Sequence, residues 1–209
     1  MSRELLYRND IRFTGWARSL SDQDWARPSL CTGWTNHDVL AHLVIGYRTP
    51  TRTVAGAVIA HRGSFDSANA DLARHLALRR SAADLIDEFS ALVRAPRGIG
   101  RVFPTRLLLG DHVIHELDIC FALDRQPETG TPQLVSVLST QVRVPNPFVP
   151  AAARARGLRL TATDLDWRHG DTGPLVTGGA AHLASALAGR RWALPHLHGE
   201  GVDVLAARG

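Results

Sequence analysis

In Gly110-Asp-His-Val-Ile-His-Glu-Leu-Asp118 a carboxylate and an imidazole stand four residues apart, within a run whose composition reads as helix. At roughly 100° per residue that spacing puts Asp111 and His115 on one face, a turn apart, where both side chains reach a single metal ion. A third ligand is needed. His42, in the equally helical Asp38-Val-Leu-Ala-His-Leu-Val44, is the natural candidate. The expectation is a His42/Asp111/His115 site between two helices of a bundle. Two neutral imidazoles and a carboxylate suit zinc first, with ferrous iron, nickel or manganese second. Three protein ligands leave coordination positions open, as in catalytic rather than structural sites.

The same residues have blander readings. An Asp–His pair four apart is also an ordinary hydrogen-bonded couple, and a histidine bordering an apolar stripe, as His42 does, ordinarily bonds a carbonyl. His112 either pairs with Glu116 one turn on or sits a turn from Leu108 on a neighbouring face. Asp118, one turn past His115, either orients that imidazole from behind or simply solvates the helix. Against these, Asp111, His115 and Asp118 form a polar row flanked by Leu107, Ile114, Leu117 and Phe121. Such a row is costly in a bundle interior unless something pairs it.

The elements that must position these residues are marked by caps and periodicity. Leu6, Phe13, Trp16 and Leu20 make one stripe of a first helix from about Arg3 to Leu20. Ser21…Asp24, Thr35…Asp38 and Ser81…Asp84 are capping boxes that open, in turn, a short helical segment, the His42 helix, and a third main helix ending before Pro96. Thr51 to about His61 continues as helix after Pro50, and Gly63 to about Asn69 reads as loop. Pro104 is placed to be the first residue of the Asp111/His115 helix, which extends to about Leu123. A further helix runs from about Pro132 to Val142, followed by the connection Val144-Pro-Asn-Pro-Phe-Val-Pro150. Beyond Gly157 the pattern changes. Leu158, Leu160 and Ala162 alternate with polar residues as in a half-buried strand, Asp164 to Gly170 continues it with a turn, Gly178 to Gly189 reads as helix and Gly201 to Leu205 as a last strand. The fold class expected is mainly α: a four-helix bundle over residues 1–150 with a small α/β module over 151–209, too short to stand alone.

Composition excludes several functions. The 209 residues are 44% hydrophobic with mean hydropathy −0.08 and no apolar run near the roughly 18 to 20 residues of a membrane span. The N-terminus has no apolar core with a cleavage site, which predicts a cytoplasmic protein. A charge of +4 is compatible with nucleic-acid binding, but every one of the 24 cationic residues is arginine and they are dispersed, with no basic run or aromatic platform. Cys31 and Cys120 form no Cys-x-x-Cys pair and read as buried thiols, with no cation near Cys31 in sequence to activate it. There is no Gly-x-Ser-x-Gly elbow. Without lysine there is neither a Walker loop nor a Schiff-base site, and Gly98-Ile-Gly100 lacks the third glycine of a dinucleotide motif. His115-Glu116 begins like a zinc-protease motif, but Ile119 stands where its second histidine belongs.

Cys31-Thr-Gly-Trp-Thr-Asn-His-Asp-Val-Leu-Ala-His-Leu43 followed by Asp111-His-Val-Ile-His-Glu-Leu-Asp-Ile119 resembles the maleylpyruvate isomerase family of mycothiol-dependent enzymes, whose bundle is DinB/YfiT-like. Gly157 to Gly170 and Val176 to Arg190 resemble that family's C-terminal module. The resemblance implies zinc held by His42, Asp111 and His115, aspartate replacing the family's usual glutamate. It also implies a metal-dependent enzyme that ionises the thiol of mycothiol for isomerisation or transfer on a small electrophile. Arg190 is the candidate for the arginine that the isomerase uses in its C-terminal module; it or Arg191 could hold a substrate carboxylate, or simply close a helix. The implied partners are a small-molecule substrate and a low-molecular-weight thiol, without nucleic acid or membrane, on a monomer or homodimer. The alternatives are a metal-binding scaffold or regulatory protein without thiol chemistry, and a hydrolase using zinc-bound hydroxide.

Overall fold

A computed structural model describes residues 2–146 and 149–208; two residues of the proline-rich connection, 147 and 148, lie outside the described residues. Four helices carry the bundle: α1 (Ser2–Ala17), α3 (Asn36–Arg48), α6 (Ala82–Arg94) and α7 (Thr105–Ala122), with α2 (Asp22–Ala26), α4 (Thr51–Ala60) and α5 (Phe65–Ala77) between them. α1 packs on α6 and α7, and α3 packs on α5, α6 and α7. Phe13, Leu40, Leu43, Phe89, Leu109 and Leu117 are fully buried where these helices meet. Their periodic spacing along each helix drives the assembly, at about 1.5–3 kcal/mol per large apolar side chain buried.

All three capping boxes form, with reciprocal bonds between Ser21 and Asp24, Thr35 and Asp38, and Ser81 and Asp84. Pro104 is the N-cap of α7 rather than its first residue, and the helix ends in a Schellman turn. Asp124 takes a left-handed φ of 55°, and Arg125 N–H bonds the Cys120 carbonyl at 2.9 Å. The pair Gly98 and Gly100 has a packing role: a 3-10 turn (Gly98–Arg101) is pressed against the end of α3. A Cβ on Gly98, whose φ is +49°, would lie 2.1 Å from the Thr49 carbonyl oxygen.

The expected loop from Gly63 to Asn69 is wrong beyond Ser64. Ser64 accepts the Ser67 N–H at 3.2 Å as an N-cap and α5 begins at once. Ser67 and Asn69 are weak helix formers, but burial of Ala68 and Ala73 on the α3 side of the molecule outweighs that preference.

After α8 (Thr131–Arg143) and α9 (Ala151–Ala155), three short strands follow: β1 (Arg159–Ala162), β2 (Arg168–His169) and β3 (Leu175–Gly178), in the order β2-β1-β3. β1 runs antiparallel to β2 and parallel to β3. Gly201 to Leu205 was expected as the last strand; the third strand is Leu175–Gly178, and α11 (Val202–Ala206) is a short helix. The place beside β3 is taken instead by His198, which exchanges two backbone bonds of 2.8 Å with Thr177, while Gly201 N–H bonds the Leu175 carbonyl. α10 (Ala180–Leu187) seats this part on the bundle by packing on α8 and α7. Trp167 donates to Ser139 at 3.1 Å and Gln141 to the Ala184 carbonyl at 2.9 Å.

Candidate metal centre

α3 and α7 lie side by side so that His42, from the first, meets Asp111 and His115, from the second. His42 Nε2 is 3.3 Å from Asp111 Oδ2, and His115 Nε2 is 3.5 Å from Asp111 Oδ1. One donor atom from each of the three residues lies within 4.8 Å of the others. The two imidazoles meet edge to face at 4.6 Å, with Trp34 stacked beside His115 and tilted against His42.

The other nitrogen of each ring is also engaged. His42 Nδ1 is 3.1 Å from Asn69 Oδ1, and His115 Nδ1 is 3.2 Å from Asp118 Oδ2. A neutral imidazole has only one N–H to donate. His115 faces a carboxylate oxygen on both sides, so the nitrogen not satisfied by its own hydrogen requires either a second proton or a cation. That is the arrangement of metal-ligating histidines, in which an outer acceptor takes Nδ1–H and turns the Nε2 lone pair toward the ion. The donor set therefore fits a divalent ion.

Electrostatics favour positive charge here. Burial works to raise the Asp111 carboxyl, but the charges of His42 and His115 override it and hold it well below the usual carboxylate range. Burial opposes charge on His115, yet Cys31, Asp111 and Asp118 together lift it well above an ordinary histidine.

Asp118 is fully buried and sits behind His115, the first of its two sequence readings. Both of its oxygens are held by Arg190, with Nε on Oδ1 and Nη2 on Oδ2 at 2.7 Å each. Arg190 Nη2 is also 3.4 Å from Cys31 Sγ, and that thiol donates to Asp118 Oδ2 at 3.0 Å. Cys31 is thus half-buried beside a cation, where sequence proximity had offered none: Arg190 is 159 positions away. Cys31, His115 and Asp118 form a second set of potential ligand atoms. The guanidinium already supplies the positive charge there, which sets this group apart from the first. Cys120 is buried, and burial pushes its thiol up.

Of the two readings of His112, the pairing with Glu116 is not made; the residue sits one turn from Leu108 on α7. It is buried, with Nδ1 2.9 Å from Asp10 Oδ1, while Tyr47 donates to the other oxygen of Asp10. Glu116 is instead paired with Arg12 and accepts from Thr129 at 2.8 Å. Asn69 and Trp34 were absent from the sequence-derived site; neither is near a ligand in sequence, and only the folding of α5 and of the loop before α3 brings them in.

The centre opens into a cavity of about 820 Å³ whose wall includes Trp34, Asn69, Phe103, Thr140, Gln141 and Arg190. Among the described residues no helix is long and apolar enough to cross a membrane.

Residues 8–120, more than half of the chain, match the family described as mycothiol maleylpyruvate isomerase N-terminal domain. The chain belongs to that family, and this segment contains all three candidate ligands. A crystal structure of a histidine-to-alanine mutant of the mycothiol-dependent maleylpyruvate isomerase superposes with a TM-score of 0.55 at 12% identity, over 95% of this chain and 91% of that one. A second structure, of the mycothiol-dependent maleylpyruvate isomerase, gives 0.48 at 13% identity over the same shares. At this identity the first likeness establishes the fold, a helical bundle with a small C-terminal α/β part. No curated protein matches the chain.

Proposed function

We propose that this protein is a metal-dependent enzyme, with zinc the ion its donor set suits best, that activates mycothiol or a similar low-molecular-weight thiol for isomerisation or transfer on a small electrophile. The observation that carries the reading is the convergence of His42 Nε2 and His115 Nε2 on Asp111 at the cavity wall, each ring with its other nitrogen already engaged. A divalent ion at that point supplies a fixed positive charge that favours a thiolate over a thiol near neutral pH.

The protein's own residues bind and orient. Asn69 and Asp118 fix the two imidazoles, and Trp34 covers them on one side. The cavity mixes apolar groups such as Phe103 with amides and hydroxyls such as Asn69 and Thr140, a lining suited to a ligand with both polar and apolar parts. The bundle, residues 1–150, supplies the ligands, and the module of residues 151–209 contributes Ala151, Ala188 and Arg190 to the cavity wall. Arg190 is committed to Asp118, and the reading gives it a positioning role rather than that of a clamp for substrate carboxylate. No protein cysteine is needed as the nucleophile. The working form is a cytoplasmic monomer or homodimer acting on free small molecules.

Elemental analysis of the purified protein combined with thiol titration tests this reading. About one divalent ion per chain is expected, with thiol binding that disappears after chelation. Protein that neither retains nor takes up a divalent ion would overturn it.

A further inference from the structure

Arg190 reaches the centre by a local device. α10 ends in a Schellman turn in which Gly189, at φ +89°, donates to the Ala186 carbonyl at 2.9 Å, and Arg190 N–H bonds the Ser185 carbonyl at 3.0 Å. The left-handed glycine reverses the chain and aims the next side chain back at α7. The guanidinium then grips Asp118 by both oxygens, 72 residues away in sequence, with its side chain 23% exposed and that of Asp118 at 0%. A planar fork on a planar carboxylate fixes the plane of the latter as well as its position. Asp118 Oδ2, held in this way, is the atom 3.2 Å from His115 Nδ1.

We propose that Arg190 is a positioning residue for the metal centre: through Asp118 it sets the tautomer and ring orientation of His115, so that the C-terminal module, outside the segment matched to the family, tunes metal affinity in the bundle. The inference rests on the reading of His42, Asp111 and His115 as metal ligands. Arg190 touches none of those three directly in this arrangement; its two-bond grip on Asp118 is the main route to His115, with Cys31, 3.4 Å from Arg190 Nη2 and 3.5 Å from His115 Nδ1, as a second neighbour. Loss of an outer partner of this kind typically lowers metal affinity about 10- to 100-fold.

The test is a double-mutant cycle on full-length protein, using Arg190→Gln, Asp118→Asn and the two combined, with cobalt(II) affinity read by its absorption spectrum and thermal melting read alongside. The combined variant leaves no unpaired buried charge and guards against a single variant that fails to fold. Both single variants should lose about 10- to 100-fold in cobalt affinity, and the combined variant should bind no worse than Asp118→Asn alone. Wild-type affinity in Arg190→Gln, or losses that multiply in the combined variant, would overturn the proposal. A metal-free readout separates this outcome from failure of the functional reading. In ¹⁵N NMR, at a pH high enough to leave His115 a single ring proton, the wild-type apoprotein should hold that proton at Nδ1, and Arg190→Gln should release that preference. An unchanged His115 signal refutes the positioning role even if the wild type binds no metal at all.

Discussion

His115 lies between two carboxylates, with Nδ1 3.2 Å from Asp118 Oδ2 and Nε2 3.5 Å from Asp111 Oδ1. One contact faces the protein interior and the other faces the cavity, which divides the two roles that a single helix face gives these aspartates.

Removing a ligand should remove the ion. His42→Ala and His115→Ala are expected to abolish divalent metal retention, because two remaining protein contacts hold it too weakly. Asp111→Glu should keep partial binding, since the longer carboxylate is the family's usual ligand type. Elemental analysis after gel filtration reads all three, and wild-type metal content in both histidine variants would sink the site.

His112→Ala separates neighbouring histidines by role. It should retain metal but lose roughly 3 kcal/mol of stability, because Asp10 would be left as a buried carboxylate with only the Tyr47 hydroxyl and, at 3.3 Å, the Asn9 amide as partners. Urea unfolding reads the loss. Metal depletion in this variant would mean that the wrong member of α7 had been chosen.

Cobalt-substituted protein should show no sulfur-to-metal charge-transfer band by itself and should gain one when mycothiol or a close thiol analogue is added. Addition should release a proton in weak buffer, because the thiolate is the binding form, and the release should vanish in His115→Ala. A band before addition would implicate Cys31 instead.

The capping box at Ser21 predicts a pH-dependent contribution to stability. Backbone and hydroxyl hydrogen bonds from Ser21 lower the Asp24 carboxyl below its ordinary value, and Arg125 adds to this from 3.1 Å. A carboxyl depressed on folding contributes its stability in full above its unfolded value, near 4, and loses it as pH falls through the lower folded value. Ser21→Ala should therefore cost about 1 kcal/mol at pH 7, and the gap to wild type should narrow below about pH 4. Denaturant midpoints at pH 7 and pH 3 check the sign.

Gly98→Ala should destabilise the protein by more than about 1 kcal/mol, since alanine both resists the positive φ and collides with the Thr49 carbonyl. Equal thermal midpoints would show that the 3-10 turn moves aside freely.

The helices of the bundle, their caps and the pairing of Asp111 with His115 were legible in the sequence because each depends on contacts within a few residues: an apolar period, a serine three positions before an aspartate, a four-residue step along one helix. His42 could be nominated on the same grounds. The family resemblance then supported joining it to the pair. Tertiary structure alone decided which groups stand behind the ligands. Asn69 belongs to a segment whose Ser, Asn and Asp side chains argue locally for a loop, and packing on α3 overrode that preference to place it on His42. The strand at Leu175–Gly178 is too short to show a period and exists because β1 pairs with it. Arg190 carries no local mark that distinguishes it from Arg191; its meaning lies in a glycine turn and a buried aspartate 72 residues away. Ion pairs across such distances follow from the way helices pack, and no spacing along the chain encodes them.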